Sequence, residues 1–557
     1  MQILFKDIIN IGDQMEKNKP SNLIKILYIL ISGLLLCFIF YPVINISIYG
    51  ISKNTDIGSS MNKINKAFIL LKRSLTLSTT VTIISTLVGF ISAFTLKRLN
   101  FKFRKILKTL ILMPLINPPF VGSIAFIMLF GKRGLISNKL LGLSISPFGF
   151  KGIVAMQVLG QVALAYILIS SAIEKTNPTL EEAARNMGAS EWQVFRTITL
   201  NTMIPEITSA GLLIFLSSIS DFSTPIIIGG SYQTLASQLY IEITGLFDLK
   251  TGAIFGSFLL IPCLLAFIIQ RYVVSKRFYF TDKINSEEIE YKNLNPIIKN
   301  TLIAITASYI SIVLIKYIFI IIGAFTIQWG HDYSFTLRHF ATVFTRDFTP
   351  FKNSIKLAIT TSFIASILGV FLSYLISRKK LKSSMFADFV ATLPAAVPGI
   401  LYGMGYLISF NRPPLILIGT KIAIYIICIS RFLNISLRNG YSLLSHIDPS
   451  LELAAFNLGA GDIKTFKDIT LPLLKPAFVN SFIKNFTTGM VTLGSIILLM
   501  IPSNKVAVQM IFQSISGSSI GAAAAMALLL SFTSLSLVGV FYLIFNKRAI
   551  LSKWKER

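Results

Sequence analysis

The sequence predicts an all-α membrane protein with twelve transmembrane helices, arranged as two parallel six-helix repeats. Three observations support this fold class. Of the 557 residues, 53% are hydrophobic and only 14% are charged, whereas soluble domains carry about 25% charged residues. Apolar runs long enough to cross a bilayer, which takes about 20 residues, occur twelve times along the chain. Motifs of the first half also return in the second, so no large domain is expected outside the membrane.

The predicted spans alternate with short polar connections. The first apolar run is too long for a signal-peptide core and is expected to be retained as a span. Connections such as the one holding Lys97, Arg98 and Lys102 are rich in basic residues, and short basic loops stay in the cytoplasm. Both termini are therefore predicted to be cytoplasmic, although the basic outer segment 53–73 departs from this pattern. The predicted spans are 24–47, 75–96, 109–130, 152–172, 205–228, 251–270, 300–326, 354–376, 388–410, 414–435, 477–500 and 520–545.

An internal repeat divides the chain into two halves. Gly89 recurs 280 residues later as Gly369, and aligning 177–205 with 448–476 gives 13 identities in 29 positions. An even number of spans in each half keeps the two copies in the same orientation, so the repeat is parallel. The predicted organisation is a first half at 1–274, a cytoplasmic linker at 275–299 and a second half at 300–557.

Each repeat contains a cytoplasmic loop that is predicted to form a short helix. Pro178 and Pro449 are suited to the first helical turn, and Gly188 and Gly459 fit the left-handed position just after the last turn. Apolar residues between them follow the spacing i, i+3, i+4, i+7 and share one face. They are Leu180, Ala183, Ala184 and Met187 in the first loop, and Leu451, Ala454, Ala455 and Leu458 in the second.

A second helix is predicted beyond the glycine of the first loop. Ser190 and Gln193 have the spacing of a capping box, so a helix should begin there and run to about Leu200. Pro205 is then expected to open the next span.

The apolar face of these short helices needs something to cover it, because a helix of about ten residues is marginal in isolation. One interpretation is that each face folds back on the ends of its own spans. The other is docking on a partner. Two copies at matching places in the two halves favour a partner that is itself pseudosymmetric.

The spacing within both loops carries a longer pattern of Glu, Ala and Ala, then Gly, then Ile and Leu. In the first loop these residues are Glu182, Ala183, Ala184, Gly188, Ile198 and Leu200, and in the second Ala454, Ala455, Gly459, Ile469, Leu471 and Pro472. The pattern resembles the EAA loop of the membrane subunits of bacterial binding-protein-dependent ABC importers. The resemblance covers essentially the whole chain and implies the type I importer permease fold. Leu453 and Asn201 depart from the pattern, where the family has Glu and Pro.

The resemblance also implies partners and a location. In that family the loops form coupling helices that dock on separate ATPase subunits, two copies per permease, and those subunits bind ATP and magnesium. An extracytoplasmic solute-binding protein delivers the substrate, and the permease lies in the bacterial cytoplasmic membrane. This chain itself is expected to hold no cofactor. It is also not expected to bind nucleic acid, because its net charge of +28 is explained by membrane orientation.

Two halves fused in one chain look like the ferric-iron type of permease, a layout shared with thiamine and some phosphonate permeases. The segment from Ser220 to Pro225, with the later Gly494-Ser495, looks most like the ferric and phosphonate members. Iron is therefore the predicted substrate, with thiamine and phosphonate as alternatives.

Polar residues near the ends of two spans are candidates for the passage between the halves. Asp221 and Thr224 lie near the outer end of the span that begins near Pro205, and Thr492 and Ser495 are their counterparts in the repeat. The simpler interpretation of Asp221 is a hydrogen bond at a helix end.

The chain is not predicted to be an enzyme. It has no Gly-x-x-x-x-Gly-Lys-Ser/Thr run with which to bind the phosphates of ATP. No metal site is predicted either, since His331, Asp332 and His339 fall in a polar loop. A secondary transporter built from two parallel halves is the rival of another class, but ion coupling needs acidic groups within the spans, and Glu206, Asp221 and Asp388 are the few candidates. A channel is disfavoured because no filter sequence can be recognised.

Overall fold

The computed structural model of the chain describes most of its residues, and the predicted linker is largely outside them. Of that linker, residues 295–299 are among the described ones and form the start of a helix. The residues described are 21–51, 57–116, 120–131, 134–140, 142, 148–176, 178–274, 295–346, 348–379, 381, 383–517 and 519–555.

The first half is helical throughout its described part. Short π or 3-10 turns join some helices end to end, so that α1 runs into α2 and α8 runs into α9. The helices are α1 (Asn22–Leu35), α2 (Tyr41–Ile51), α3 (Ile57–Arg98), α4 (Arg104–Leu112), α5 (Val121–Phe130), α6 (Phe150–Lys175), α7 (Pro178–Asn186), α8 (Glu191–Val194), α9 (Leu200–Ile219), α10 (Ser223–Ile228), α11 (Leu235–Thr244) and α12 (Leu249–Ile268).

The second half repeats this order and adds a β-hairpin. The hairpin pairs β1 with β2 in antiparallel register, so the expectation of a purely α-helical chain was wrong at this one connection. The elements are α13 (Pro296–Ala324), β1 (Thr326–Gln328), β2 (Asp332–Phe335), α14 (Arg338–Arg346), α15 (Thr349–Lys379), α16 (Ser384–Thr392), α17 (Gly399–Ser409), α18 (Lys421–Leu444), α19 (Ser450–Asn457), α20 (Asp462–Thr465), α21 (Leu471–Val491), α22 (Ala507–Ser516) and α23 (Ile520–Lys555).

Fewer than twelve helices of the described part are long and apolar enough to cross a membrane. Nine pass on length and composition, and a tenth is reached if the pair Ser384–Ala395 and Gly399–Ser409, whose axes are bent by 112°, forms one span. The described residues of the predicted span 109–130 form the end of α4, a 3-10 turn at 113–116 and α5, and α4 and α5 have only nine and ten residues. The helix within 477–500 ends at Val491. The molecule is therefore a helical membrane protein with nine or ten candidate spans. Twelve spans in two sets of six remain a prediction.

A bundle of three helices is built the same way in each half. In the first half α3 packs against α6 and α9, and in the second α15 packs against α18 and α21. The repeated glycines allow the closest crossings: a Cβ on Gly89 would lie 2.3 Å from Ala165 Cβ, and one on Gly369 would lie 2.4 Å from Ser436 Cβ. Small residues at such crossings let membrane helices approach closely.

The first helix of each half packs on the opposite half. In the second half the hydroxyl groups of Tyr402 and Tyr406 donate to the carbonyl of Phe38, between α1 and α2, at 3.0 and 2.7 Å. In the other direction Tyr309 of α13 donates to the carbonyl of Leu159 in α6 at 3.1 Å. The two halves therefore exchange their first helices, and each of the two hydrophobic clusters contains residues of both halves.

Two basic residues of the segment that departs from the charge pattern are ion-paired. At the start of α3, Lys63 lies 3.2 Å from Asp248 and Lys66 lies 3.2 Å from Glu242. Glu242 is buried. These two ion pairs partly neutralise the basic residues at the start of α3, the end of the helix opposite Arg98.

Candidate coupling site

Two short helices, α7 and α19, lie at aligned places and hold the predicted coupling residues. They follow the ends of α6 and α18, at what we call the coupling end of the bundle. Met187 and Leu458 are each 88% exposed, although both are apolar. The exposed set, here named the docking surfaces, is Leu180, Ala183 and Met187 in the first loop, and Leu451, Ala454 and Leu458 in the second.

The remaining two alanines of the predicted face turn toward the protein. Ala184 is half-buried and Ala455 is buried. Each lies three residues after a buried glutamate, Glu181 or Glu452, and residues three apart lie on the same side of a helix. The docking surfaces are thus narrower than the predicted face. Glu182 borders the first one and is exposed.

The glycine that follows each helix has the predicted left-handed backbone. The φ angle is +87° at Gly188 and +84° at Gly459. The amide of Ala189 donates to the carbonyl of Ala184 at 3.0 Å, and the amide of Ala460 donates to that of Ala455 at the same distance. This six-to-one bond is that of a Schellman motif. The prediction of two glycine-terminated helices is confirmed.

We expect Gly188→Val and Gly459→Val each to weaken association with the ATPase. A side chain at these φ angles costs roughly 1–2 kcal/mol, so the helix end and the adjacent docking surface should shift. The measurement is co-purification of the ATPase with each variant in detergent. Gly461→Val is the control, because φ there is −72° and a Cβ meets no atom within 4 Å. Parental co-purification of both variants would exclude these loops as docking elements.

A buried ion pair fixes the first coupling helix to the end of α3. Arg98 Nη2 donates to Glu181 Oε1 at 2.9 Å, and the hydroxyl of Thr199 donates to the same oxygen at 2.8 Å. Arg98 also donates to the hydroxyl of Thr176, just before α7, at 2.9 Å. Arg98 is 4% exposed and Glu181 is fully buried. Glu181 therefore ties α7 to the end of α3 and to the residue before α9, and Arg98 adds the end of α6.

The second half has the same arrangement with small differences. Arg378 Nε lies 3.6 Å from Glu452 Oε1, and Thr470 donates to that oxygen at 3.2 Å. Arg378 also donates to the carbonyl of Ile447, the counterpart of Thr176. Burial raises the pKa of Glu452, and the cations of Arg378 and Lys379 oppose that rise. We call the two arrangements the first and second buried latch.

The latches could have been found in the sequence. Arg98 and Arg378 are 280 residues apart, and the aligned glutamates Glu181 and Glu452 are 271 apart. These are the two offsets of the repeat. Sequence reasoning chose the neighbouring Glu182 instead, because the resemblance pointed to it and nothing local indicates which of two successive glutamates is buried.

Two further exposed apolar residues extend the docking surfaces. Trp192 is 67% exposed, and its counterpart Ile463 is 50% exposed. The acidic residue just before each is ion-paired: Glu191 lies 2.7 Å from Arg185, and Asp462 lies 2.7 Å from Lys379. The basic partner lies in a different kind of helix in each half, since Arg185 belongs to α7 and Lys379 to α15. Only the acidic residue of the pair is therefore repeated. Sequence analysis did not single out Trp192.

The exit from the coupling loop is alike in both halves. The predicted capping box forms, since the amide of Ser190 donates to Gln193 Oε1 at 2.8 Å and the amide of Gln193 donates to Ser190 Oγ at 3.4 Å. A π turn follows at 195–199 and again at 466–470. The helix continues through Pro205 rather than beginning there. Asn201, which stands where the family has Pro, therefore does not change the path of the backbone out of this loop.

The predicted passage residues lie in the segments that follow α9 and α21. Asp221 Oδ1 accepts from the amides of Ser223 and Thr224 at 2.9 and 3.2 Å, and Oδ2 accepts from Gln157 Nε2 at 2.9 Å. Asp221 therefore makes the hydrogen bonds at a helix end that the simpler interpretation predicts, and its place in the passage stays a prediction. Thr224 and Thr492 are half-buried, whereas Ser495 is buried.

These two segments meet between the halves. A Cβ on Gly494 would lie 3.2 Å from the Phe222 ring. Phe222 stacks on Tyr240 with ring centroids 5.4 Å apart, and Tyr240 meets Phe512 of the other half edge-on at 6.0 Å. Aromatic rings thus fill the seam beside the predicted passage.

Asp388, one of the acidic groups that ion coupling would require, has structural partners. It forms an ion pair with Arg271 of the first half, and the hydroxyl of Tyr441 donates to its Oδ1 at 3.0 Å. The pair joins the two halves near the coupling end.

The histidine region does not assemble a metal site within the part of the chain that the structure describes. His331 and Asp332 lie at the hairpin, and His339 Nε2 is 3.0 Å from the carbonyl oxygen of Thr326. Among the described residues, no three side chains of His, Cys, Asp or Glu come together as metal ligands.

Two exposed short helices at aligned places, a repeated three-helix bundle and apolar spans are the features of a membrane permease of repeated design. The family model for the "binding-protein-dependent transport system inner membrane component" matches the chain twice, at 85–279 and 365–550. The chain belongs to this family and carries two copies of its domain. It is the permease component of a binding-protein-dependent ABC transport system, a multi-pass inner-membrane protein whose class works with a solute-binding protein and an ATPase. A secondary transporter is not favoured.

Curated relatives resemble the chain over most of its length. The ferric transport system permease protein FbpB of Actinobacillus pleuropneumoniae is 29% identical over 467 residues, which cover 82% of this chain and 68% of the relative. The putative ferric transport system permease protein FbpB 1 of Haemophilus influenzae is 30% identical over 78% of this chain and 71% of its own. The molybdenum transport system permease protein ModB of Escherichia coli is 31% identical over 30% of this chain and 77% of its own.

Proposed function

We propose that this chain moves ferric iron across the cytoplasmic membrane, powered by two copies of a separate ATPase that bind ATP and magnesium. The two-copy proposal rests on the pair of exposed docking surfaces. They lie at aligned places in the two halves, and a buried latch holds each of them within its own half. Two matching surfaces suit two matching subunits. The similarity to two relatives named as ferric permeases over about 80% of the chain supports iron.

In the proposed mechanism the latches transmit motion. ATP-driven closure of the ATPase pair draws the two docking surfaces together. Because Glu181 and Glu452 join the coupling helices to the ends of α3 and α15, those long helices follow. The seam between the halves then opens on the outer side, and hydrolysis reverses the change. The chain needs only two conformations whose balance its partners shift.

Substrate identity is tested by reconstitution. Vesicles holding the permease with its ATPase and binding protein are expected to accumulate radioactive iron when ATP is enclosed and the ferric-loaded binding protein is outside. Thiamine and phosphonate are the matched comparisons, offered through the same binding protein. Capture of either of these by the binding protein, with no binding of ferric ion, would remove iron from the proposal.

We propose that both termini and the linker are cytoplasmic. Cysteines introduced at Ser286 in the linker and Ser552 near the C-terminus should then resist a membrane-impermeant thiol reagent in intact cells. A cysteine at Ser334, exposed in the hairpin at the end of the bundle far from the coupling loops, should react quickly. The native Cys263 and Cys428 are buried and should contribute little background. Rapid labelling at Ser286 or Ser552 would overturn the orientation.

A further inference from the structure

Arg431 lies near the middle of a span, and its Nη1 atom has no hydrogen-bond partner in the part of the chain that the structure describes. Arg431 is ten residues into α18, or about 15 Å along it. Its Nη1 atom is buried, and no described residue accepts a hydrogen bond from it. No described acidic residue forms an ion pair with it. Charges within membrane spans are costly and usually mark a functional site, and buried charges are ordinarily paired.

The surroundings of Arg431 offer donors. A Cβ built on Gly399, the first residue of α17, would lie 3.1 Å from Arg431 Nη1 and 3.1 Å from the amide nitrogen of Ser495. The three groups therefore converge where glycine leaves room. Ser495 Oγ is buried and unpartnered, and no side chain caps the start of α17. A helix N-terminus carries partial positive charge and free amide groups.

The first half does not supply the missing negative charge. The residue aligned with Arg431 is Gly160, so the cation has no counterpart. The acidic residue of the aligned segment, Asp221, already accepts from Ser223, Thr224 and Gln157. Whatever neutralises Arg431 is therefore not among these residues.

We propose that Arg431, Ser495 and the N-terminus of α17 form a binding site for an anionic oxygen group, such as a carboxylate or phosphate, carried by the transported species. The site adjoins the seam, because Gly494 meets Phe222 of the opposite half. The inference deepens the proposed ferric function and rests on it for the cargo. A bare ferric ion would be repelled by the guanidinium, so the iron crosses as a chelate whose ligand presents its negative charge to Arg431.

Binding is tested on the purified permease–ATPase complex. Its thermal unfolding midpoint should rise in a saturable way with citrate, inorganic phosphate or ferric citrate. Arg431→Gln should weaken that response at least about tenfold, as expected for the loss of a charge-assisted hydrogen bond. Arg431→Lys should keep part of it and Ser495→Ala most of it. The control is Arg412→Gln, an exposed arginine outside the site. A parental response in Arg431→Gln would overturn the site.

Transport in vesicles separates this inference from the proposed function. Iron uptake with ferric citrate should fall about tenfold in Arg431→Gln but not in Arg412→Gln. Equal uptake by Arg431→Gln and the parent would refute the anion site and leave ferric transport standing. Citrate-dependent stabilisation with no iron uptake in the parent would refute ferric transport and leave the site standing. Comparing citrate with ferric citrate shows whether the site takes the free anion or the chelate.

Discussion

Glu181→Gln is expected to lower the free energy of unfolding by about 3–5 kcal/mol, the usual cost of leaving one charge of a buried pair uncompensated. Arg98 would keep its charge at 4% exposure and lose its carboxylate partner, while Thr199 would lose a charged acceptor. The midpoint of thermal unfolding in detergent should fall clearly. In vesicles, less substrate should be moved for each ATP hydrolysed, because α7 is no longer held to α3.

The matched control is the next residue. Glu182→Gln makes the same chemical change on an exposed side chain and should leave the unfolding midpoint within experimental error. A second test replaces both partners. Arg98→Met combined with Glu181→Leu removes the uncompensated charge and should recover much of the stability that Glu181→Gln loses. An unfolding midpoint for Glu181→Gln equal to that of Glu182→Gln would show that the latch contributes little.

Met187→Asp and Leu458→Asp are each expected to weaken binding of the ATPase by ten- to a hundredfold. Covering an exposed Met or Leu side chain contributes roughly 1.5–3 kcal/mol, and an aspartate in the same contact would add the cost of burying an unpaired charge. Both side chains are 88% exposed, so the fold itself should be unaffected. The measurement is the dissociation constant of the ATPase from detergent-purified permease.

The control for this pair is Leu246→Asp. Leu246 is also exposed, at 63%, but it lies between α11 and α12, away from the coupling loops. Its ATPase affinity should equal that of the parent. Combining Met187→Asp with Leu458→Asp should weaken binding further than either change alone, because each half contributes one surface. A parental affinity in the double variant would mean that the ATPase docks elsewhere.

Local signals account for what the sequence predicted well. A proline near the start, a glycine after the end and four apolar residues between them define each coupling helix, and the helix ends at Gly188 and Gly459 as expected. The repeat was equally readable, because identical residues at fixed offsets do not depend on folding. Glu182 and Glu181 could not be told apart in this way. The difference between them comes from Arg98, which is distant in sequence.

Hydropathy along the sequence predicts twelve spans, whereas nine or ten helices of the described part are long and apolar enough to cross a membrane. An apolar run of 22 residues satisfies the length rule whether it forms one helix or two short ones. In the second half the run from 388 to 410 bends by 112° between Ala395 and Gly399, where Pro394 precedes the break and Pro398 lies within it. The sequence likewise does not predict the exchange of first helices, because α1 would be apolar whichever half it packed against.

That exchange bears on how a fused permease can diverge. With each half holding the other's first helix, cutting the chain in the linker should still leave one associated particle, so the covalent link is not what keeps the halves together. Fusion ensures that every first half associates with one second half. The halves are then free to specialise, as they have at Glu182 opposite Leu453 and at Arg431 opposite Gly160. A permease assembled from two identical chains could not place an arginine in one half alone.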